Sequence, residues 1–152
     1  MPSVLVTGAN RGIGLGFVDQ YAWEGWRVHA CCRAPDAADE LKSLTGEIEV
    51  HALDVTDVTA IKALAAEIDT PLDVVIANAG VMGDAANDFG SIDFDAWDEA
   101  FAVNVRAVVA MAEAFAPHLE KRLESSRRSP QPWGRSRTHR AVMCVTGPQR
   151  RR

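Results

Sequence analysis

The sequence predicts an α/β fold built on a doubly wound parallel sheet. Short apolar runs alternate four times with segments of helical periodicity, and a glycine-rich turn follows the first run. The apolar share, 47%, is that of a globular chain and not of a disordered one. Ser3-Val4-Leu5-Val6-Thr7 is a β-branched run that ends at Gly8 and reads as a buried strand. Residues 13–23 carry Ile13, Phe17 and Tyr21 on one helical side and stop before Gly25. Residues 26–32 form a second apolar run, closed by Arg33-Ala34-Pro35. Residues 36–44 predict a short helix, residues 48–53 a third strand, and Asp57 caps a helix running to Ile68. Residues 72–77 are the fourth strand. A long helix then runs from about residue 94 to about residue 119, with Trp97, Phe101, Val105, Val108, Met111, Phe115 and Leu119 as its apolar stripe. Strand and helix alternating in this way imply right-handed crossovers that cover both sheet faces.

The formal net charge of -5 conceals a division. Residues 1–120 hold 20 Asp/Glu against 6 Lys/Arg, a net of -14, whereas residues 121–152 hold 10 Lys/Arg against Glu124 alone, a net of +9. Apolar residues thin out as well, leaving Leu123, Trp133 and the run from Ala141 to Val145. No apolar run approaches the roughly 18 residues of a membrane-spanning helix, so no membrane partner is expected. Met1-Pro2-Ser3 has no basic segment ahead of an apolar one, which predicts no secretory signal. Cys31, Cys32 and Cys144 form neither a disulfide framework nor a paired metal pattern, and the chain is expected in the reducing cytoplasm.

The informative motif lies at the first strand-to-helix turn, Thr7-Gly8-Ala9-Asn10-Arg11-Gly12-Ile13-Gly14. Glycines here bare the backbone, so that a pyrophosphate can rest on exposed N–H groups at the positive end of the helix. Gly14 lets the helix pack closely on the strand. The spacing is G-x-x-x-G-x-G, and its position between strand and helix points to dinucleotide binding.

With this motif the sequence resembles the short-chain dehydrogenase/reductase family. Leu53-Asp54-Val55 is similar to the family's element after the third strand, where the Asp meets the adenine ring. Asn78-Ala79-Gly80-Val81 matches the element that ends its fourth strand and lines the cofactor site. Phe101-Ala102-Val103-Asn104-Val105 matches its long-helix motif, whose Asn belongs to the catalytic tetrad. With Cys32-Arg33-Ala34-Pro35, the pattern resembles most the carbonyl-reductase or C-factor-like branch. The resemblance covers residues 1 to about 120. It implies the N-terminal half of a Rossmann fold, with residues 1–121 an incomplete NAD(P)-binding domain and residues 122–152 a basic, irregular, disordered tail. It also implies that Gly8, Asn10, Arg11, Gly12, Ile13, Gly14, Arg33, Asp54, Val55, Asn78, Ala79 and Gly80 contact the cofactor.

Charge selects the cofactor. An NAD site places an acid at the end of the second strand for the ribose 2′-hydroxyl. Here the strand ends Cys31-Cys32-Arg33, with no acid before Asp36. Arg33 and Arg11 can instead offer guanidinium forks to a 2′-phosphate, which favours NADP over NAD. Asn104 sits beside the apolar stripe, where a buried amide costs on the order of 1–3 kcal/mol unless satisfied. The resemblance implies that it helps hold a water in a proton relay to a catalytic Lys; hydrogen bonding to neighbouring backbone is the alternative.

No metal site is expected. His29 and His51 lie on strands with no Cys or acid at ligand spacing, His118 and His139 read as surface residues, and Cys31 and Cys32 point to opposite sides of one strand. The acids from Asp84 to Glu99 lack the spacing of a calcium loop.

In the resembled family, hydride passes between nicotinamide and a carbonyl or alcohol carbon. A Ser polarises the oxygen, and a Tyr acts as acid or base with a Lys four residues later lowering its pKa from near 10. This chain has one tyrosine, Tyr21, and no Lys after Lys121, so the Tyr-x-x-x-Lys pair has no counterpart downstream of Asn104. Ser125, Ser126, Ser129 and Ser136 do not end an apolar strand. Asn104 is the tetrad's remnant. The pattern resembles a family member truncated or frameshifted after about residue 121, expected to be inactive, with an open edge on the fourth strand and a tendency to aggregate. Small carbonyl or alcohol substrates and homo-oligomers belong to the full-length family and are not expected here. A nucleic-acid-binding tail is not expected either, because it lacks aromatic interleaving beyond Trp133. A non-catalytic nucleotide-binding or regulatory module is the alternative function.

Overall fold

The structure, a computed structural model, describes the backbone of residues 1–83, 90–128 and 141–144, and the side chains of residues 1–83 and 90–122. The elements follow in the order β1 (Ser3–Thr7), α1 (Gly12–Trp23), β2 (Arg27–Cys32), a 3-10 turn (Pro35–Ala37), α2 (Asp39–Ser43), β3 (Ile48–Ala52), α3 (Val58–Glu67) and β4 (Val74–Ala77). Then come α4 (Phe94–Phe101), a π-turn (Ala102–Arg106), α5 (Ala107–Arg128) and β5 (Ala141–Cys144). All pairings are parallel, in the order β3-β2-β1-β4-β5, which is the doubly wound order.

Alternate residues of the strands feed two cores. On one face Leu5, Cys31 and Val75 pack against Ile61 and Leu64 of α3 and Met111 and Phe115 of α5. On the other, Val4, Val6, Val28, Cys32 and Ile76 pack against Val18 and Ala22 of α1 and Leu41 of α2. Cys31 and Cys32 thus do point to opposite faces, as successive strand residues must.

Three expectations are corrected. Helix α1 buries Gly14, Val18 and Ala22 and leaves Ile13 52% exposed. Small residues bring the helix close to the sheet, and the apolar row at 13, 17 and 21 falls to its flank. The stripe on the long helix is split too. Phe94, Trp97, Phe101, Val105 and Val109 are exposed, while Val103, Ala107, Met111 and Phe115 are buried. The cause is the π-turn, in which the N–H of Ala107 bonds to the carbonyl of Ala102; its extra residue shifts the helical phase midway. His118 is buried and not on the surface, and its Nε2–H donates to the carbonyl of Ile68 at 2.8 Å. Over Phe94–Arg122, 29 residues, the helix has mean hydropathy 1.3 in its most apolar window, enough by length and composition to cross a membrane. The residues it buries lie against the sheet.

The stretch expected to be irregular carries two elements. Helix α5 continues to Arg128, past Pro117, through a run rich in Glu, Lys, Arg and Leu with no further proline before Pro130. Strand β5 pairs with β4 from Val74↔Ala141 to Ala77↔Cys144, so the edge expected to be open is covered. Residues 84–89, 129–140 and 145–152, with Asp84, Ser129, Trp133, Ser136, His139 and Val145, lie outside the described residues.

Candidate functional site

A cleft of about 200 Å³ opens at the carboxyl ends of β1, β2, β3 and β4, where ligands of doubly wound sheets bind. Of the twelve residues expected to contact a cofactor, Gly8, Asn10, Arg11, Arg33, Asp54, Val55, Ala79 and Gly80 line it. Cys32, Leu53, Thr56, Val81, Glu99 and Val103 also line it and were not among those candidates. Val81 was readable as the last residue of the quoted N-A-G-V element. Val103 lies inside the quoted long-helix motif, whereas Glu99 comes from the helix ahead of it, outside any quoted motif.

Close packing shapes the first turn. Gly8 and Gly12 hold positive φ, at 65° and 57°. A Cβ on Gly14 would lie 2.1 Å from the Gly8 carbonyl oxygen and 2.5 Å from Asn78 Nδ2. Gly14 and Asn78 therefore act behind the cleft wall. The Asn78 amide donates to the carbonyls of Thr7 (3.0 Å) and Gly8 (3.3 Å). Thr7 Oγ1 in turn accepts the backbone N–H groups of Asn78 and Ala79, both at 3.0 Å. These bonds staple the end of β1 to the end of β4. The role of Thr7 was missed because its partners lie some 70 positions away in sequence.

The N-terminus of α1 is available to an anion. Arg11 precedes it in extended conformation and makes no side-chain cap, and the first turn holds no acid. Helices α3 and α4, by contrast, are each capped by a carboxylate, from Asp57 and Asp93. Uncapped N–H groups and the positive helix end suit a phosphate. Arg11 and Arg33 are exposed at the cleft, and neither has a hydrogen-bonded or ion-paired partner among the described residues.

Asp54 is fixed by its neighbour. Its Oδ1 accepts the Thr56 N–H at 2.9 Å and the Thr56 hydroxyl at 2.7 Å. These two bonds, backbone first, hold its pKa below the ordinary Asp value, with Arg33 adding a smaller attraction. Asn104, placed by the π-turn, bonds the backbone of Val81 through both ends of its amide. That is the backbone alternative for this side chain, and it ties the long helix to the loop after β4.

Outside the cleft, His29 and His51 come together with Glu49. The reason for setting the histidines aside does not hold, since Glu49, two residues before His51, shares its face of the strand.

The sequence profile described as short chain dehydrogenase matches residues 2–126. A 1-deoxy-11-beta-hydroxypentalenate dehydrogenase of Streptomyces avermitilis is 35% identical over 137 residues, covering 84% of this chain and 48% of that protein. A carbonyl reductase of Pseudomonas aeruginosa superposes with a TM-score of 0.72 at 29% identity, over 78% of this chain and 57% of that one. An alcohol dehydrogenase of the archaeon Thermococcus sibiricus, complexed with 5-hydroxy-NADP, gives 0.70 at 25% identity, over 80% and 54%. The chain spans about half the length of the relatives it matches.

Proposed function

The chain belongs to the short-chain dehydrogenase/reductase family of oxidoreductases, and from that premise we propose that it binds NADP in preference to NAD and, as it stands, does not turn over a carbonyl or alcohol substrate. The observation that carries the cofactor preference is the pair of exposed guanidiniums, Arg11 and Arg33, without hydrogen-bonded or ion-paired partners among the described residues, at a cleft whose second strand ends without an acid. The residues present fit a dinucleotide. The bare turn at Gly8 and Gly12 and the uncapped start of α1 suit the pyrophosphate, and Asp54 and Val55 face the region the resemblance gives to the adenine. Arg11 and Arg33 would hold a 2′-phosphate by charge-assisted hydrogen bonds. When bound, the nicotinamide supplies or accepts a hydride.

Lack of turnover follows from the acid–base groups. The one tyrosine, Tyr21, stands on α1 with its ring 4.8 Å from that of Trp26, and does not line the cleft. Burial and then Glu24 push its hydroxyl pKa up, opposite to what a general acid near neutrality requires. A nucleotide-binding or regulatory role is the form of function that a retained cleft without this group supports.

Titrating NADPH and NADH into the chain, with nicotinamide fluorescence as readout, tests the preference. NADPH should bind more tightly, and Arg11→Ala with Arg33→Ala should abolish the difference. Equal binding, or an NADH preference, overturns it. Oxidation of NADPH by a reactive aldehyde above the protein-free rate overturns the absence of turnover.

A further inference from the structure

We propose that His29, Glu49 and His51 form a site for a divalent transition-metal cation, Zn²⁺ by the chemistry of its donors, separate from the cofactor cleft. Strands β2 and β3 pair in parallel with His29 opposite Glu49 and Cys31 opposite His51. Residues two apart on a strand share a face, so the three side chains rise from the same side of the sheet at neighbouring positions. His29 Nδ1 lies 3.1 Å from His51 Nε2 and 3.4 Å from Glu49 Oε2, and the last two atoms are 4.0 Å apart. Tetrahedral zinc with ligand bonds of about 2.0–2.2 Å separates its donor atoms by about 3.3–3.6 Å, close to this triangle.

The donor set is also right in kind. Two imidazoles and one carboxylate are a known zinc combination, leaving a fourth position for water. Glu49 is exposed, which opens that position to solvent, while His29 is buried. The Thr70 hydroxyl lies 3.4 Å from His29 Nε2, on the far side of the ring from the cluster. A hydrogen bond there orients the ring and leaves Nδ1 as the donor atom, as outer partners of metal-bound histidines do. Because β3 is the edge strand of the sheet, a cation here would fasten it to β2.

The test uses the full chain, freed of metal by a chelator and titrated with Zn²⁺ in a calorimeter, with Co²⁺ as spectroscopic probe. One equivalent should bind, and Co²⁺ should give the intense visible absorption of a low-coordinate site. His51→Ala and Glu49→Gln should each weaken binding by about tenfold or more. Glu49 is exposed and His51 only partly buried, on the edge strand, and both variants should leave circular dichroism and NADPH binding unaltered. Absence of Zn²⁺ binding would mean that the two imidazoles merely share a hydrogen bond, and overturns the site. Binding left intact in both variants would place the metal on other ligands and overturns it equally.

Discussion

Asn104 holds Val81 by both sides of its backbone: Nδ2 donates to the Val81 carbonyl at 2.8 Å and Oδ1 accepts the Val81 N–H at 3.0 Å. The side chain thus copies one rung of a β-ladder and fixes the loop that forms one wall of the cleft. Asn104→Ala leaves both Val81 groups without these partners, and the expected cost is about 1–3 kcal/mol. Asn104→Asp keeps the acceptor but sets a carboxylate oxygen against the Val81 carbonyl, so it should cost at least as much as alanine. Thermal unfolding and NADPH titration measured together check this. An unchanged midpoint with unchanged affinity would show that the loop does not depend on Asn104.

Gly14 and Gly16 lie two residues apart on α1 and should respond oppositely to alanine. At Gly14 the new Cβ meets the Gly8 carbonyl oxygen at 2.1 Å and cannot fit without moving the glycine turn, whereas at Gly16 nothing among the described residues lies within 4 Å. Gly14→Ala should cost about 1–3 kcal/mol by overpacking and disrupt the cofactor turn. Gly16→Ala should stabilise the helix by about 0.5–1 kcal/mol. Chemical denaturation of the two variants decides the matter, and equal effects would refute the close packing of α1 on β1.

The strand–turn–helix at residues 3–23 was legible because its signals are local: a β-branched run, three glycines and a helical stop before Gly25. The parallel, doubly wound class of the sheet followed from the alternation of strand and helix. The apolar rows at 13, 17 and 21, and at 97, 101 and 105, misled because periodicity reports an amphipathic face without saying what covers it. A single extra residue in the π-turn then rotates the second row away from the core. His118 and the His29–Glu49–His51 cluster depend on contacts across 50 and 22 positions, and register between strands is not written in either strand by itself.

Asp54 gives a pH signature. Its folded pKa lies below the ordinary value because Thr56 donates two hydrogen bonds to the charged form. Its stabilising contribution is therefore fully present above the ordinary Asp range, near 3.9, and is lost as pH falls through the lower folded value. Thr56→Val removes the hydroxyl bond and keeps the backbone one, so the Asp54 titration should move up without reaching the ordinary value. Carboxyl resonances followed by NMR between about pH 2 and 6 would show it, and identical midpoints in both proteins would contradict the role of the hydroxyl.

Strand β5 has the clearest test of all, because its pairing reverses the expectation of an open edge. It lies at the margin of the sheet, paired through its backbone to β4 alone. Successive N–H groups along a strand point to opposite sides, so of Val142 and Met143 one donates toward β4 and the other away from it. Val142→Pro and Met143→Pro, made separately, should therefore differ. The variant that removes the inward donor loses a ladder bond worth about 0.5–1.5 kcal/mol and opens β4 to other chains, whereas the outward one is tolerated as prolines on edge strands are. Light scattering and unfolding midpoints would separate them. A sheet indifferent to both prolines would mean that β4 closes the fold without help from residues 141–144, restoring the open edge and the exposure to aggregation that follows from it.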